Sequence, residues 1–96
     1  MALTVSFSEE AYETLLGIGI FIEKTWGYDY AESFIESVYK KIDLIVFLPF
    51  IYDPISLNSQ VRKGVISKHT SFYYQVYQEE IRILFFFDNR QDPLIT

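Results

Sequence analysis

The sequence contains no cysteine. This absence excludes disulfide bonds, thiolate zinc sites and cysteine nucleophiles, and a small domain without disulfides is typical of the reducing cytosol. The single histidine, His69, also argues against a zinc site built from imidazoles. We therefore expect a cytoplasmic protein that binds no metal and needs no cofactor.

Long hydrophobic runs are also missing. The longest apolar stretches are residues 18–22, 44–50 and 83–87, even when Gly19 and Pro49 are counted as apolar. A membrane-spanning helix needs about 20 consecutive apolar residues. The first ten residues lack a basic segment and turn acidic, unlike a secretory signal peptide. We expect a soluble protein without a membrane anchor.

What is abundant is apolar and aromatic material. Half of the 96 residues are hydrophobic and 19% are aromatic, which is ample for a packed core and argues against disorder. A chain of this length buries roughly 60–65% of its unfolded surface and has little to spare for a second core. The sequence therefore predicts one domain spanning residues 1–96.

The net charge of −5 is unevenly distributed. Residues 1–50 contain three basic and eight acidic side chains, whereas residues 51–96 contain five of each. Residues 58–78 contain no acid but include Arg62, Lys63, Lys68 and His69. This segment is either an ordinary solvated face or a patch that faces an anion or a partner. The acidic balance disfavours general nucleic-acid binding, which depends on attraction to phosphates.

The first half of the chain predicts a strand followed by two helices. Residues 2–7 alternate between apolar and polar side chains, which indicates a half-buried strand. Ser8 is a typical N-cap for a helix that continues to about Lys24. After the break at Trp26-Gly27, the spacing of Asp29 and Glu32 predicts a capping box for a second helix that ends at Pro49. The apolar face of that helix comprises Ala31, Phe34, Ile35, Val38, Ile42 and Ile45.

The second half predicts three strands, at residues 61–67, 71–78 and 81–87, because apolar and polar side chains alternate there. Short connectors favour an antiparallel meander. The expected fold is a two-layer α+β domain with the order β-α-α-β-β-β, in which the helical hairpin packs on an antiparallel sheet. On the uncovered sheet face, Arg62 and Arg82 are expected to project together.

Three stretches carry a family resemblance. They are Val61-Arg62-Lys63 at the start of the second strand, residues 66–77, and the close of the last strand from Ile83 through the Asp-Asn-Arg-x-Asp-Pro motif at residues 88–93. With the element order, they make nearly the whole chain resemble the RelE/ParE superfamily of toxins from toxin–antitoxin pairs, with the ParE-like branch the most similar.

The resemblance implies one of two activities. Members similar to RelE cut messenger RNA on the ribosome with basic residues and often a C-terminal tyrosine, whereas members similar to ParE poison DNA gyrase and lack that set. Arg62 matches one basic position of the RelE-like pattern, and Arg90 matches another after a one-residue shift. Gly64 and Ser71 replace the other two basic residues. No tyrosine follows, since residues 94–96 are Leu-Ile-Thr.

Several side chains have either a role in one of these activities or a structural role. His69 is either a general acid or base or a turn residue that bonds locally. Tyr73, Tyr74 and Tyr77 either stack on bases or pack in the sheet. Phe86 is expected to be an exposed apolar side chain that awaits a partner. Around Asp88 we expect a turn that ties off the last strand rather than a cation site that would include Asn89 and Asp92.

The candidate set for RNA cleavage is Arg62, Lys68, His69, Arg82 and Arg90. The set expected to face a target or an antitoxin is Arg62, Lys63, Lys68, Arg82, Phe86 and Arg90.

The resemblance therefore implies a growth-inhibiting toxin of a type II toxin–antitoxin pair, of the kind linked to plasmid stabilization. It would bind a large target such as DNA gyrase and be neutralised by a cognate antitoxin. The alternatives are a ribosome-dependent endoribonuclease and an inactive toxin-fold binding module. The antitoxin is expected to add an amphipathic helix or strand over the Arg62/Arg82 face. A homodimer and a toxin–antitoxin hetero-oligomer both remain open.

Overall fold

The computed structural model describes residues 3–90 and has the predicted order of elements. The start of the first strand at Ala2 and the end of the final turn at residues 91–93 lie outside the described residues. Two helices cover one side of a four-stranded sheet whose strand order is β1-β4-β3-β2. The elements are β1 Thr4–Phe7, α1 Glu9–Trp26, α2 Tyr28–Phe47, β2 Val61–Val65, β3 Thr70–Val76 and β4 Glu80–Asp88.

The sheet is mixed rather than purely antiparallel. The predicted meander is confirmed, because β2 pairs with β3 and β3 with β4 in antiparallel register. β1 then pairs with β4 in parallel, from Thr4 opposite Glu80 to Phe7 opposite Ile83. The helical hairpin provides the long crossover that parallel strands require. None of the helices in the described part of the chain is both long and apolar enough to cross a membrane.

The two helices start in different ways. Ser8 is the N-cap of α1, as predicted: its Oγ accepts a hydrogen bond from the Ala11 amide at 3.0 Å and donates one to the Leu84 carbonyl at 2.5 Å. The predicted capping box of α2 is wrong. α2 begins at Tyr28 directly after Gly27, whose φ of 105° makes the sharp joint, so Asp29 already lies within its first turn. Glu32 is bound by the Tyr28 hydroxyl instead.

The core lies between the hairpin and the sheet. α1 contributes one buried stripe and α2 another, β3 and β4 add side chains from their inner faces, and Ile66 adds one directly after β2. Burial of each large apolar side chain stabilises the fold by about 1.5–3 kcal/mol relative to exposure. The buried residues are Ala11, Ile18, Ile22, Phe34, Val38, Ile42, Ile45, Ile66, Phe72, Tyr74, Ile81, Ile83 and Phe86.

A β-bulge in β4 corrects one prediction. Tyr73 pairs with Phe85, but its neighbour Tyr74 pairs with Ile83, so Leu84 is an extra residue in β4. The extra residue reverses the alternation after it, because each further side chain points to the opposite face. Phe86 consequently turns into the core and is only 2% exposed. The expectation that Phe86 awaits a partner at the surface is wrong.

Candidate binding site

Arg62 and Arg82 lie on opposite faces of the sheet. Arg62 pairs with Tyr74, whose side chain points to the helices, whereas Arg82 lies opposite Gln75 on the uncovered face. Neighbouring residues of a strand point to opposite faces, so the two registers separate the arginines. The expectation that they share the uncovered face is wrong, and with it the expectation that one partner segment covers both there.

Each of these arginines is held by its own neighbours. Arg62 donates through Nη1 to the Tyr52 carbonyl at 2.8 Å, and its guanidinium lies 4.7 Å from the centre of the Phe50 ring. Arg82 lies 5.2 Å from the centre of the Tyr77 ring and 3.6 Å from a Glu80 carboxylate oxygen. These cation–π contacts stabilise the two guanidiniums at separate places.

The two lysines of the predicted patch are both exposed. Lys63 pairs with Tyr73 and therefore shares the uncovered face with Arg82. Lys68 lies in the turn between β2 and β3. The uncovered face thus carries Lys63 and Arg82 beside Tyr73 and Phe85, whose rings stack at 4.6 Å.

Asp88 and Arg90 form a bidentate ion pair at the end of β4. Oδ1 and Oδ2 of Asp88 accept from Nε and Nη2 of Arg90 at 3.0 and 2.6 Å, and Oδ2 also accepts from the Thr70 hydroxyl at 2.7 Å. Burial alone would raise the pKa of the Asp88 carboxyl, but these hydrogen bonds and the Arg90 charge outweigh it and lower that pKa. The same hydrogen bond to Asp88 raises the pKa of Arg90. Arg90 also lies 5.0 Å from the Trp26 ring.

His69 bonds locally to the residue that follows the last strand. Its Nδ1 lies 3.4 Å from Oδ1 of Asn89, and its carbonyl accepts from the Asn89 amide at 3.0 Å. The turn after β4 is therefore tied to the turn between β2 and β3. Among the described residues, no group of three acidic or histidine side chains could hold a metal ion.

Gly64, a position of the RNA-cleaving pattern, and Tyr74, a candidate for stacking on bases, are both occupied by packing. Gly64 lies under the Phe72 ring, where an added Cβ would overlap ring carbons, so no basic side chain fits there without repacking. Tyr74 is fully buried and donates to the Pro49 carbonyl at 2.8 Å, and its desolvation raises the pKa of the phenol. Tyr74 therefore packs in the core and is closed to a nucleobase.

A groove that the sequence did not predict lies on the outer side of the helical hairpin. It has a volume of about 600 Å³ and lies between α1 and α2, away from the sheet. The signal was a second apolar stripe on α1, formed by Tyr12, Leu16 and Ile20 at steps of four residues. The lining residues are Tyr12, Leu15, Leu16, Gly19, Ile20, Glu23, Tyr28, Ala31, Glu32 and Ile35.

This architecture also occurs in solved structures of other proteins. No model of a known protein family matches the sequence, and no curated protein sequence matches it. Among solved structures, the chain is similar to a chromosomal ParDE toxin–antitoxin system from P. aeruginosa, with a TM-score of 0.76, 16% identity and coverage of 91% of this chain and 96% of the other.

Two other solved structures agree. A YoeB/ParE toxin from Agrobacterium tumefaciens has a TM-score of 0.66 at 11% identity and covers 90% of this chain and 98% of its own. The E. coli DinJ-YafQ toxin-antitoxin complex has a TM-score of 0.65 at 8% identity, with coverage of 94% and 96%. The chain therefore has the RelE/ParE toxin fold, as the sequence resemblance implied.

Proposed function

We propose that this chain is the cytoplasmic toxin of a type II toxin–antitoxin pair. It acts by binding a large cellular target, with DNA gyrase as the target to test first, and is neutralised by a cognate antitoxin. The proposal is supported by the fold that the chain shares with a ParDE system over 91% of its length. Because identity to that structure is only 16%, fold likeness alone leaves the target open.

The observation that favours target binding over RNA cleavage is the dispersal of the candidate cations. Cleavage by a 2′-hydroxyl needs a base, an acid and cations around one phosphate. Arg62 and Arg82 lie on opposite faces, and Arg90 is paired with Asp88 at 2.6 Å. His69 bonds to Asn89. Arg62 and Arg82 therefore cannot face one phosphate from the same side of the sheet, and Arg90 is already engaged by a carboxylate.

The surfaces available for a target lie on both sides of the molecule. The uncovered sheet face presents Lys63 and Arg82, and Lys68 extends from the adjoining turn. The hairpin presents its outer groove. An antitoxin that covers the surface needed by the target would neutralise the toxin in a hetero-oligomer, and a toxin homodimer would be a further assembly.

A supercoiling assay tests the proposed target. Purified chain at micromolar concentration is added to DNA gyrase and relaxed plasmid, and loss of supercoiling is expected. The control is Phe72→Asp, which places a carboxylate in the core and should unfold the domain. Full supercoiling in the presence of folded wild-type chain would reject gyrase as the target.

Primer extension on messenger RNA tests the endoribonuclease alternative. If the chain cleaves RNA, induction creates new transcript ends, and His69→Ala or Arg62→Ala abolishes them. Our proposal predicts transcripts with unchanged ends in the wild type. New ends that depend on His69 would contradict it and establish the RNase activity instead.

A further inference from the structure

The connector between α2 and β2, residues 48–60, is held against the sheet by its backbone. The Pro49 carbonyl accepts a hydrogen bond from the Tyr74 hydroxyl at 2.8 Å. The Tyr52 carbonyl accepts one from Nη1 of Arg62, also at 2.8 Å. These contacts fix the path of the connector near the end of α2, and with it the directions in which the side chains there point.

Large apolar side chains at this end of the molecule are exposed to water instead of packed in the core. Leu57 is 95% exposed, and Phe47, the last residue of α2, is 72% exposed. Monomeric proteins rarely expose large apolar patches, and such patches mark surfaces that a partner covers. We call this surface the end patch; its residues are Phe47, Leu48, Phe50, Ile51 and Leu57.

The end patch contains both a hollow and a projection. The hollow has a volume of about 310 Å³ and is lined by residues 47–51. The projection is Leu57, since nearly all of its side chain is in water. A surface with both features is able to complement itself, which is what the two-fold interface of a homodimer requires.

Charge favours a second copy of this chain as the occupant of the end patch. The residues that line the hollow carry no charge, whereas the whole chain has a net charge of −5. Two copies repel each other where their acidic surfaces meet, but not where neutral apolar surfaces are apposed. A basic partner drawn to the acidic chain would find no carboxylate in the hollow to pair with.

The size of the end patch predicts a dimer of moderate affinity. With two phenylalanines and three aliphatic side chains that are between half and fully exposed, each copy offers roughly 500 Å² of apolar surface. Two copies would bury about 1,000 Å² in total, which is near the lower end for specific interfaces. The dimer should therefore exchange with the monomer at micromolar concentrations.

We propose that two copies of this chain associate through the end patch about a two-fold axis, with Leu57 of each copy inserted into the hollow of the other. None of the patch residues belongs to a strand or lines the groove outside the helical hairpin, so the dimer uses neither the uncovered sheet face nor that groove. The inference supplies an interface for the homodimer that the proposed function leaves open, and it holds whether or not the chain is a toxin.

Sedimentation velocity of the full chain between about 1 and 200 μM tests the association. A monomer at the lowest concentration should give way to a dimer at the highest. High salt should strengthen the dimer, because it screens the repulsion between two copies that each carry a charge of −5. A chain that stays monomeric throughout would overturn the proposal, and so would a dimer that salt dissociates, since ion pairs would then hold it.

Two leucine variants test the place of association. Leu57→Glu puts a carboxylate into the apolar hollow of the other copy and should weaken the dimer at least about tenfold. Leu16→Glu is the matched control, because Leu16 is an exposed leucine of α1 outside the end patch, and it should associate like the wild type. A dimer that survives Leu57→Glu, or one that Leu16→Glu dissociates, with thermal unfolding showing that both variants fold, would overturn the interface.

The proposed dimer and the proposed toxin function fail separately. If the chain dimerises through the end patch but does not arrest growth, only the toxin function is rejected. If it arrests growth and stays monomeric, only the inferred dimer is rejected.

A mixture of two labelled variants tests the insertion of Leu57 into the hollow of the other copy. Leu57→Glu and Phe47→Lys should each associate weakly alone, because a charge then enters both halves of the two-fold interface. In the mixed dimer, one half pairs the new carboxylate with the new ammonium, and the other half keeps the wild-type contact. Fluorescence anisotropy should therefore show at least about tenfold tighter association between the two variants than within either one. No preference for the mixed pair would overturn the proposed arrangement.

Discussion

At the scale of single residues, several polar side chains at the end of β4 form hydrogen bonds and an ion pair that stabilise the fold. Asp88 is buried and binds Arg90 and Thr70, and the neighbouring Asn89 bonds to His69. These contacts join the end of β4 to the turn between β2 and β3. A buried carboxylate with several donors is stabilised in its charged form, so its contribution to folding depends on pH.

Asp88→Asn should lower the free energy of unfolding by about 2 kcal/mol at neutral pH, because it removes charge-assisted hydrogen bonds from a buried site. The folded chain holds the pKa of Asp88 below its ordinary value, so this stability is complete above the unfolded pKa of about 3.9. It is lost as the pH falls through the lower folded pKa. Urea unfolding of wild type and variant should therefore converge in acid.

The control for this measurement is Asp43→Asn, which changes an exposed aspartate of α2. Its effect should stay within about 0.5 kcal/mol across the same pH range. A constant difference between wild type and Asp88→Asn from neutral pH into acid would contradict the role assigned to the Asp88 charge.

Gly64→Ala should destabilise the chain by about 1–3 kcal/mol, because the new methyl group overlaps the Phe72 ring and forces it out of its packed position. Gly19→Ala is the matched control and should stabilise the chain by up to about 1 kcal/mol, since its Cβ meets nothing within 4 Å. Chemical denaturation of both variants shows whether each substitution lowers or raises the free energy of unfolding. An unchanged free energy of unfolding for Gly64→Ala would contradict this prediction, because it would mean that the Phe72 ring can move aside without loss of stability.

At the scale of the elements, α1 is tied to the sheet through its N-cap residue, Ser8. The Ser8 hydroxyl caps the helix and also donates to the carbonyl of Leu84, the extra residue of the β4 bulge. Nearly two helical turns further along, the Thr14 hydroxyl accepts from the Phe86 amide at 2.9 Å. These two hydroxyls thereby satisfy backbone groups at the bulge and just after it, where strand pairing is irregular.

Ser8→Ala should lower the free energy of unfolding by about 1–2 kcal/mol, because it removes an N-cap and leaves the Leu84 carbonyl without that donor. Ser33→Ala, an exposed site within α2, is the matched control and should change stability by only a few tenths of a kcal/mol. Thermal unfolding of the two variants tests this. Equal midpoints would show that the Ser8 contacts contribute nothing net.

At the scale of the whole molecule, the element order could be predicted because apolar spacing and turn residues are local signals. The N-cap at Ser8 and the meander followed from such signals and are confirmed. The sheet face to which Arg62 points could not be predicted, because it depends on the register of β2 on β3. The face to which Phe86 points could not be predicted either, because it depends on the bulge at Leu84. The groove outside the helical hairpin could not be predicted from the stripe of Tyr12, Leu16 and Ile20 alone, because its second wall comes from α2 and depends on how the two helices pack.

The central claim is that this fold arrests growth and that a partner relieves the arrest. The most direct measurement is the colony count after induction of the chain alone, of the chain together with the antitoxin that the proposal expects a short adjacent reading frame to encode, and of the core variant Phe72→Asp. We predict a fall of several orders of magnitude for the chain alone, full recovery with the partner, and no effect of the unfolded variant. Equal colony counts for the folded chain and for Phe72→Asp would contradict the account.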